Sequence, residues 1–134
     1  MNKIKKLNIV KNLKEDTTGK KIGRIQLNRI SKNLSTEELK VYYIKFEKGA
    51  RSKLHLHDSD QIIIGQKGKG RLVVYSGIDT SNEKQANLKI ESSMEISENE
   101  AVIVPAGKLH WHGALENQSF SHISVMRNGK TFWF

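Results

Sequence analysis

The sequence predicts an all-β domain, built as an antiparallel sandwich or barrel. Short segments of alternating or apolar residues recur along the 134 residues, turn signals separate them, and no long segment has helical periodicity. Many short strands at close spacing are typical of sandwiches and barrels. A chain of this length forms one domain with an adequate core. It has no cysteine, which excludes disulfides and thiolate metal sites.

Ten segments are predicted as strands and six as turns. The strands are 22–30, 40–46, 53–57, 61–66, 70–76, 86–91, 101–104, 109–112, 119–126 and 131–134. The turns are 48–49, 58–60, 67–70, 76–79, 98–99 and 128–129, where Gly, Asn, Asp and Ser concentrate. Residues 35–38 have the form of a capping box, but the stretch is too short for more than a turn, so 31–39 is predicted to be a connecting loop.

The positive charge is concentrated at the start of the chain. Residues 1–24 carry eight Lys/Arg against two acidic residues, whereas the other 110 carry fifteen against twelve. No basic helix or aromatic stripe accompanies this excess, so a solvated surface segment is favoured over polyanion binding. We predict a basic, partly ordered segment at 1–21 and a folded domain at 22–134. No secretory or bilayer-spanning stretch is present, so we expect a cytoplasmic protein without nucleic-acid or membrane partners.

The histidines point to a metal. Four of the five form the pairs His55-Leu-His57 and His110-Trp-His112, and His122 stands alone. Residues i and i+2 of a strand face the same side, so two such pairs can converge inside a barrel. One pair by itself is more often just two polar residues on one face. Without cysteine, a metal must be held by nitrogen and oxygen.

The residues around these pairs resemble the two cupin motifs. A glycine, five residues, His-x-His, three residues, a fourth ligand, six residues and a glycine make the first, and Pro-x-Gly-x-x-His makes the second; the matching residues are Gly49, His55, His57, Gln61, Gly68, Pro105, Gly107 and His110. The resemblance implies a small single-domain cupin with an RmlC-like jelly-roll β-barrel, or double-stranded β-helix. Three positions depart from the usual pattern: Gln61 replaces Glu, Asn99 replaces Gly, and Ala114 replaces Asn.

The motifs are most similar to one subgroup. Val-Pro-Ala-Gly-x-x-His-Trp-His-Gly-Ala from residue 104 resembles small cupins related to carboxymuconolactone decarboxylase-associated proteins, including bacterial cupin-type hydroxynitrile lyases. The resemblance extends over about residues 22–126. It implies a divalent metal, commonly manganese, with iron, nickel, cobalt or zinc also suited to nitrogen and oxygen ligands. The implied ligands are His55, His57, Gln61 and His110, with His112 and His122 beside them.

The predicted site has a distinctive charge. Three imidazoles and an amide leave a divalent ion at +2, which favours anionic or oxyanion-forming ligands. His112 lies too far along its strand to reach the same ion easily, so it is either an acid–base group or a buried histidine bonded to a backbone carbonyl. As a lone histidine His122 would be structural, but the resemblance makes it a proton-transfer candidate. Because ligating imidazoles must be neutral, metal affinity should fall below about pH 6.

These features favour a metal-dependent enzyme acting on a small oxygen-bearing substrate, as a lyase or an oxidoreductase of the dioxygenase type. The alternatives are a non-catalytic module that binds or senses a small anion through the metal, and a barrel with an unfilled site. The aromatic terminus at 131–134 is expected to cover the barrel or to meet a second subunit in a homodimer. Core or pocket wall is the expected role of six further residues: Trp111, Phe120, Ile63, Tyr42, Ile44 and Met126.

Overall fold

The computed structural model describes residues 4–79 and 87–134. Its elements are β1 (Lys14–Glu15), β2 (Lys21–Ile22), β3 (Ile25–Asn28), α1 (Ile30–Asn33), β4 (Leu39–Phe46), β5 (Arg51–Ser52), β6 (His55–His57), β7 (Gln61–Gly68), β8 (Gly70–Asp79), β9 (Asn87–Ile96), β10 (Ala101–Val104), β11 (Leu109–Ala114), β12 (Phe120–Arg127) and β13 (Thr131–Trp133). Residues 1–3 of the predicted basic segment and residue 86 of a predicted strand lie outside the described residues.

The strands form two antiparallel sheets, which confirms the predicted all-β jelly roll. The first sheet has six strands in the order β1-β3-β4-β12-β7-β10. The second has seven: β13-β6-β11-β5-β2, with β8 also pairing β11 and β9 pairing β8. Consecutive strands often lie in different sheets, as β6 and β7 do, so the chain repeatedly crosses between the layers. The only described helix has four residues, and no described helix is long and apolar enough to cross a membrane.

Four local predictions were wrong. The predicted strand at 22–30 is divided after Ile22 by Gly23, whose backbone has φ +81°, and its last residue, Ile30, begins α1. The first residues of the predicted loop at 31–39 belong to the one-turn helix α1. This helix forms because Ile30 and Ser31 are buried against β4, where the Val41 amide donates to the Ser31 hydroxyl at 3.0 Å. The predicted turn at 76–79 lies within β8, where the pairing with β9 is irregular around Tyr75 and Gly77. The predicted strand at 86–91 continues to Ile96, since β9 pairs with β8 along that length.

Two turns show why their residues were identifiable. Gly49 follows β4 with φ +71°, and Asn99 precedes β10 with φ +65°. Glycine has no Cβ to oppose a left-handed backbone, and asparagine tolerates it better than most residues. Asn99 therefore does the work of the glycine that it replaces in the second motif.

The space between the sheets has two different ends. At one end, aliphatic and aromatic side chains form the hydrophobic core: Ile25, Phe46, Ala50, Ile63, Leu72, Val74, Ile96, Val104, Ala114 and Phe120. Burying each of the larger side chains in this set contributes about 1.5–3 kcal/mol. At the other end lie the buried histidines. The same strands carry both ends, so the packed core holds the histidine end in position.

The leading basic segment is joined to both sheets. In β1, Lys14 pairs with Leu27, and in β2, Lys21 pairs with Ser52. Most of the segment is exposed, as expected of a solvated surface. Its residues Asp16, Thr18 and Lys20 also line the interior cavity described below, which the charge pattern did not predict.

Candidate metal centre

Two neighbouring strands bring three histidines together. His55 in β6 is paired with His110 in β11, and His57 lies two residues farther along the inner face of β6. All three side chains are buried, at 2%, 6% and 0% exposure for His55, His57 and His110. One ring nitrogen of each lies within 4.8 Å of the others. Three nitrogens this close can share one metal ion.

The hydrogen bonds of the three Nδ1 atoms determine which ring nitrogens face the centre. Nδ1 of His55 lies 2.8 Å from the Lys53 carbonyl, and Nδ1 of His110 lies 2.9 Å from the Lys108 carbonyl. A carbonyl only accepts, so each Nδ1 donates its hydrogen and each Nε2 keeps a free lone pair. Nδ1 of His57 lies 2.8 Å from the Thr131 hydroxyl. All three imidazoles are thus held from behind, which orients Nε2 for ligation.

Gln61 approaches the same centre from the opposite sheet. It is 2% exposed, and its Nε2 donates to the Ser124 hydroxyl at 2.7 Å. Among the described residues, its Oε1 has no hydrogen-bond partner, and neither do Nε2 of His57 or Nε2 of His110. Buried polar atoms without a partner cost about 1–3 kcal/mol each. Three of them in one place fit an ion that accepts their lone pairs.

Burial keeps all five imidazoles neutral near pH 7. It lowers the pKa of His55 to about 3, with the neighbouring His110 adding to the effect, and lowers the pKa of His57 to about 4. Burial likewise lowers the pKa of His110, lowers that of His112 well below its usual value, and lowers that of His122 to about 3. Neutral imidazoles have the lone pair that metal ligation requires.

His112 and His122 form a buried pair beside the three histidines. Nε2 of His122 lies 3.1 Å from Nδ1 of His112. The His112 ring lies 5.5 Å from that of His55, centroid to centroid, and it lines the cavity, whereas His122 lies behind it and is completely buried. The structure therefore brings all six predicted site residues together. They occupy distinct layers: His112 borders the cavity, and His122 contacts His112.

Three neighbours of the centre were not predicted. Thr131 contacts His57, Ser124 contacts Gln61, and the Trp133 ring stacks on His55 with centroids 4.4 Å apart. Thr131 and Trp133 belong to β13, which pairs with β6. The aromatic terminus was a signal that this segment packs, but nothing local indicated its partner. Trp111 was wrongly placed in the core or pocket wall: its ring packs under the Arg51 guanidinium, 4.4 Å away, on the outer face of β11.

A cavity of about 380 Å³ leads to the centre. This volume is in the range of pockets for small molecules. Its inner part is bordered by His55, His57, Gln61 and His112. The rest of the lining mixes polar and apolar side chains, and Tyr42, Ile44 and Met126 belong to it as predicted.

Comparison with known proteins agrees with this arrangement. The family model described as Cupin matches residues 11–132. The chain belongs to the cupin family. The match includes both histidine motifs, the basic segment from residue 11 and the first two residues of β13, so the predicted small single-domain cupin is confirmed. No curated protein matches the chain.

Solved structures share the cupin fold at low sequence identity. A cupin-like protein from Thermotoga maritima is 23% identical, with a TM-score of 0.71 over 90% of this chain and 83% of that one. The polyketide cyclase RemF from Streptomyces resistomycificus is 12% identical, with a TM-score of 0.71 over 98% and 85%. A variant of the Bacillus subtilis oxalate decarboxylase is 15% identical, with a TM-score of 0.60 over 84% of this chain and 28% of that one. Neighbours of this cupin therefore include enzymes.

Proposed function

We propose that this cupin is a metal-dependent enzyme that acts on a small oxygen-bearing substrate, with the ion held by His55, His57, Gln61 and His110. The observation that carries the proposal is the convergence of three buried imidazole nitrogens within 4.8 Å, with their Nδ1 atoms held from behind. The Gln61 amide faces them with an unpartnered Oε1 among the described residues. A packed core without a ligand would not leave this set of acceptors together.

The donor atoms fit a divalent transition metal. Imidazole nitrogens and an amide oxygen suit manganese, iron, nickel, cobalt or zinc, and the subgroup resemblance favours manganese. When bound, the ion would supply Lewis-acid polarisation of a substrate oxygen. Because none of the four ligands is charged, the centre attracts negative charge more strongly than one with a carboxylate ligand would. The protein's own residues would hold the ion firmly, because its ligands come from both sheets and Thr131 of β13 lies behind His57.

We propose His112 as the proton-transfer group and His122 as the residue that orients it. In one tautomer of the pair, Nδ1 of His112 accepts from His122 and its Nε2 carries a hydrogen, which makes it a general acid. In the other, Nδ1 of His112 donates to His122, and the free Nε2 is a general base. Nδ1 of His122 is buried and has no partner among the described residues that could supply or take up a proton, so His122 fixes which of the two roles His112 has.

The named activities of structural neighbours support a substrate with several oxygen groups. One neighbour is an oxalate decarboxylase and another a polyketide cyclase. The proposed reaction class is a lyase step or, with iron, an oxidoreductase step of the dioxygenase type, with a cavity that admits only a small molecule. A non-catalytic module that captures a small anion at the metal is the competing function.

The homodimer and the cytoplasmic location remain predictions. Two exposed apolar surfaces are available for self-association. Phe132 and Phe134 of the terminus are 48% and 69% exposed, and Ile62 and Ile103, paired across β7 and β10, are 43% and 58% exposed.

The test combines metal analysis with turnover. We expect one equivalent of Mn²⁺ or another divalent ion in protein purified without a histidine tag. A panel of hydroxy, oxo and dicarboxylic acids should then contain a substrate whose turnover falls at least about 100-fold in His112→Ala, as expected for loss of a general acid or base. The Mn²⁺ content of that variant serves as its control. Tight binding without turnover by any panel member would favour the anion-binding module, and failure to take up any divalent ion would contradict the metal centre.

A further inference from the structure

The mouth of the cavity is basic. Three cations line it, Lys20, Arg29 and Lys40, against the single acid Asp16. Within residues 4–79 and 87–134, none of the three cations forms a salt bridge. The four ion pairs of the described chain use other basic residues. The cavity therefore combines an uncharged ligand set at its inner end with an excess of positive charge at its outer end.

Lys40 is the cation built most closely into the barrel. Along β4 it shares the cavity-facing row with Tyr42 and Ile44, and it is half-buried. It is paired across the sheet with Met126 of β12, and Met126 is paired in turn with Gln61 of β7. Lys40, Met126 and Gln61 thus form one row across three strands. Neighbouring strands are about 4.8 Å apart, so the backbone of Lys40 lies about 10 Å from that of Gln61.

The Lys40 ammonium group is available to a ligand. Its contact among the described residues is a long hydrogen bond to the Gly129 carbonyl, at 3.4 Å. Its charge also acts on the centre, because it helps to lower the pKa of His57 after burial and His110. A positive charge beside a divalent site is unfavourable unless negative charge enters between them.

We infer that the cavity selects a short organic acid, whose carboxylate lies at Lys40 and whose other oxygen group lies at the metal-binding end. The position of the second oxygen group rests on the proposed metal centre, whereas the position of the carboxylate at Lys40 does not. Met126 lies between Lys40 and Gln61 in that row, and Tyr42 and Ile44 line the cavity beside it, so these apolar side chains suit a short carbon chain. Lys40 is then the residue that determines specificity for anions over neutral analogues, and Lys20 and Arg29 add to the attraction at the mouth.

The experiment compares a charged probe with a neutral one. Succinate and its uncharged diamide, succinamide, are titrated calorimetrically into metal-free and Mn²⁺-loaded protein. The variants are Lys40→Gln, Lys40→Arg as the conservative replacement, and Lys45→Gln as the control. Lys45 lies on the same strand, is also half-buried, and is outside the cavity lining.

We expect succinate to bind more tightly than succinamide. Lys40→Gln should weaken succinate binding on the order of tenfold, as expected for loss of one partly shielded charge, with little change for succinamide. Lys40→Arg should retain most of the affinity, and Lys45→Gln should match the unmodified chain. Equal binding of succinate by Lys40→Gln and by the unmodified chain, or equal binding of the two probes, would overturn the inference.

Two further arms separate the remaining explanations. Inorganic phosphate that binds better than succinate, with the same loss in Lys40→Gln, would overturn the carboxylate assignment in favour of phosphate. The metal-free titration separates the inference from the proposed function. If the protein takes up no Mn²⁺ but metal-free protein still prefers succinate through Lys40, the metal centre fails and the anion selectivity stands. If Mn²⁺ binds and Lys40→Gln has no effect on succinate binding, the metal centre stands and the anion selectivity fails.

Discussion

The two ends of the barrel interior are made from the same strands with opposite chemistry. Phe46 in β4 and Phe120 in β12 are each 1% exposed and stack with centroids 6.4 Å apart. A few residues away on the same strands, β4 carries Lys40, and β12 carries Ser124 beside Gln61. At the packed end, apolar atoms meet mainly apolar atoms, although both phenylalanine rings also lie against His122. At the histidine end, several buried acceptors find no partner within the described residues.

This difference separates stability from function. Packing at the Phe46 end contributes free energy of folding, whereas unpartnered acceptors at the histidine end reduce it. The protein tolerates the unpartnered acceptors because the packed core holds the shared strands in place. Substitutions at the two ends should therefore have separable effects, on unfolding at one end and on metal binding at the other.

The largest effect is expected from Phe120→Ala. The side chain is 1% exposed, so its loss leaves a cavity and should reduce the free energy of unfolding by about 3–5 kcal/mol. Urea unfolding of the metal-free protein measures this. Provided the variant is folded at the working temperature, its affinity for Mn²⁺ should change little. A loss of metal affinity without a loss of stability would contradict the separation of the two ends.

His110→Ala should have the opposite profile. Removing a central imidazole should weaken Mn²⁺ binding by more than about 100-fold, beyond the range usual for residues that only support a ligand. The metal-free variant should lose less stability than Phe120→Ala, because the deleted side chain includes a buried nitrogen without a partner. Calorimetric titration with Mn²⁺ and urea unfolding give the two numbers. Retention of tight Mn²⁺ binding would exclude His110 as a ligand.

Thr131→Val tests the support from the C-terminal strand. The change keeps the shape of the side chain but removes the hydroxyl 2.8 Å from Nδ1 of His57. Loss of such a supporting contact typically costs 10–100-fold in metal affinity, and we expect a value of about 10-fold. Thr36→Val, at a half-buried threonine outside the site, is the control. If both variants bind Mn²⁺ equally well, Thr131 does not orient the ligand.

A separate effect is expected from pH on the stability of the metal-free protein. The buried histidines have pKa values lowered to about 3 for His55 and His122 and about 4 for His57, whereas an unfolded chain has about 6.5. Below pH 6.5 the unfolded state therefore binds more protons, and stability should fall as the pH drops from 6.5 towards 4. Each such histidine contributes up to about 1.4 kcal/mol per pH unit. A flat unfolding midpoint between pH 7 and 5 would contradict this.

The same lowered pKa values shift the expected loss of metal affinity to lower pH. Ordinary histidines would compete with protons below about pH 6, as the sequence alone suggests. Ligands with a pKa lowered to 3–4 stay neutral in the folded protein, so Mn²⁺ affinity should be nearly constant from pH 7 to about 5. Titrations at pH 7, 6 and 5 decide between these outcomes.

Local patterns predicted the strands well where one face is buried. In β4, the alternation of Tyr42, Ile44 and Phe46 coincides with the cavity-facing row. The local sequence patterns gave wrong predictions where packing against another element decides the conformation. Helix α1 forms because Ile30 and Ser31 are buried on β4, not because of the capping box that follows at 35–38. Likewise, β8 passes through residues with turn composition because it pairs with β9.

The sequence by itself determined the fold class and the six residues that meet at the centre. Spacing brings His55 with His57 and His110 with His112, because residues two apart on a strand share a face, and the resemblance to the cupin motifs added Gln61 and His122. Only the tertiary structure decided what surrounds them: Thr131 behind His57, Trp133 on His55, and Lys40 at the mouth. The physical reason is that these contacts join strands distant in the chain. Cross-strand pairing of β13 with β6, and of β12 with β4 and β7, leaves no periodic signal in either partner.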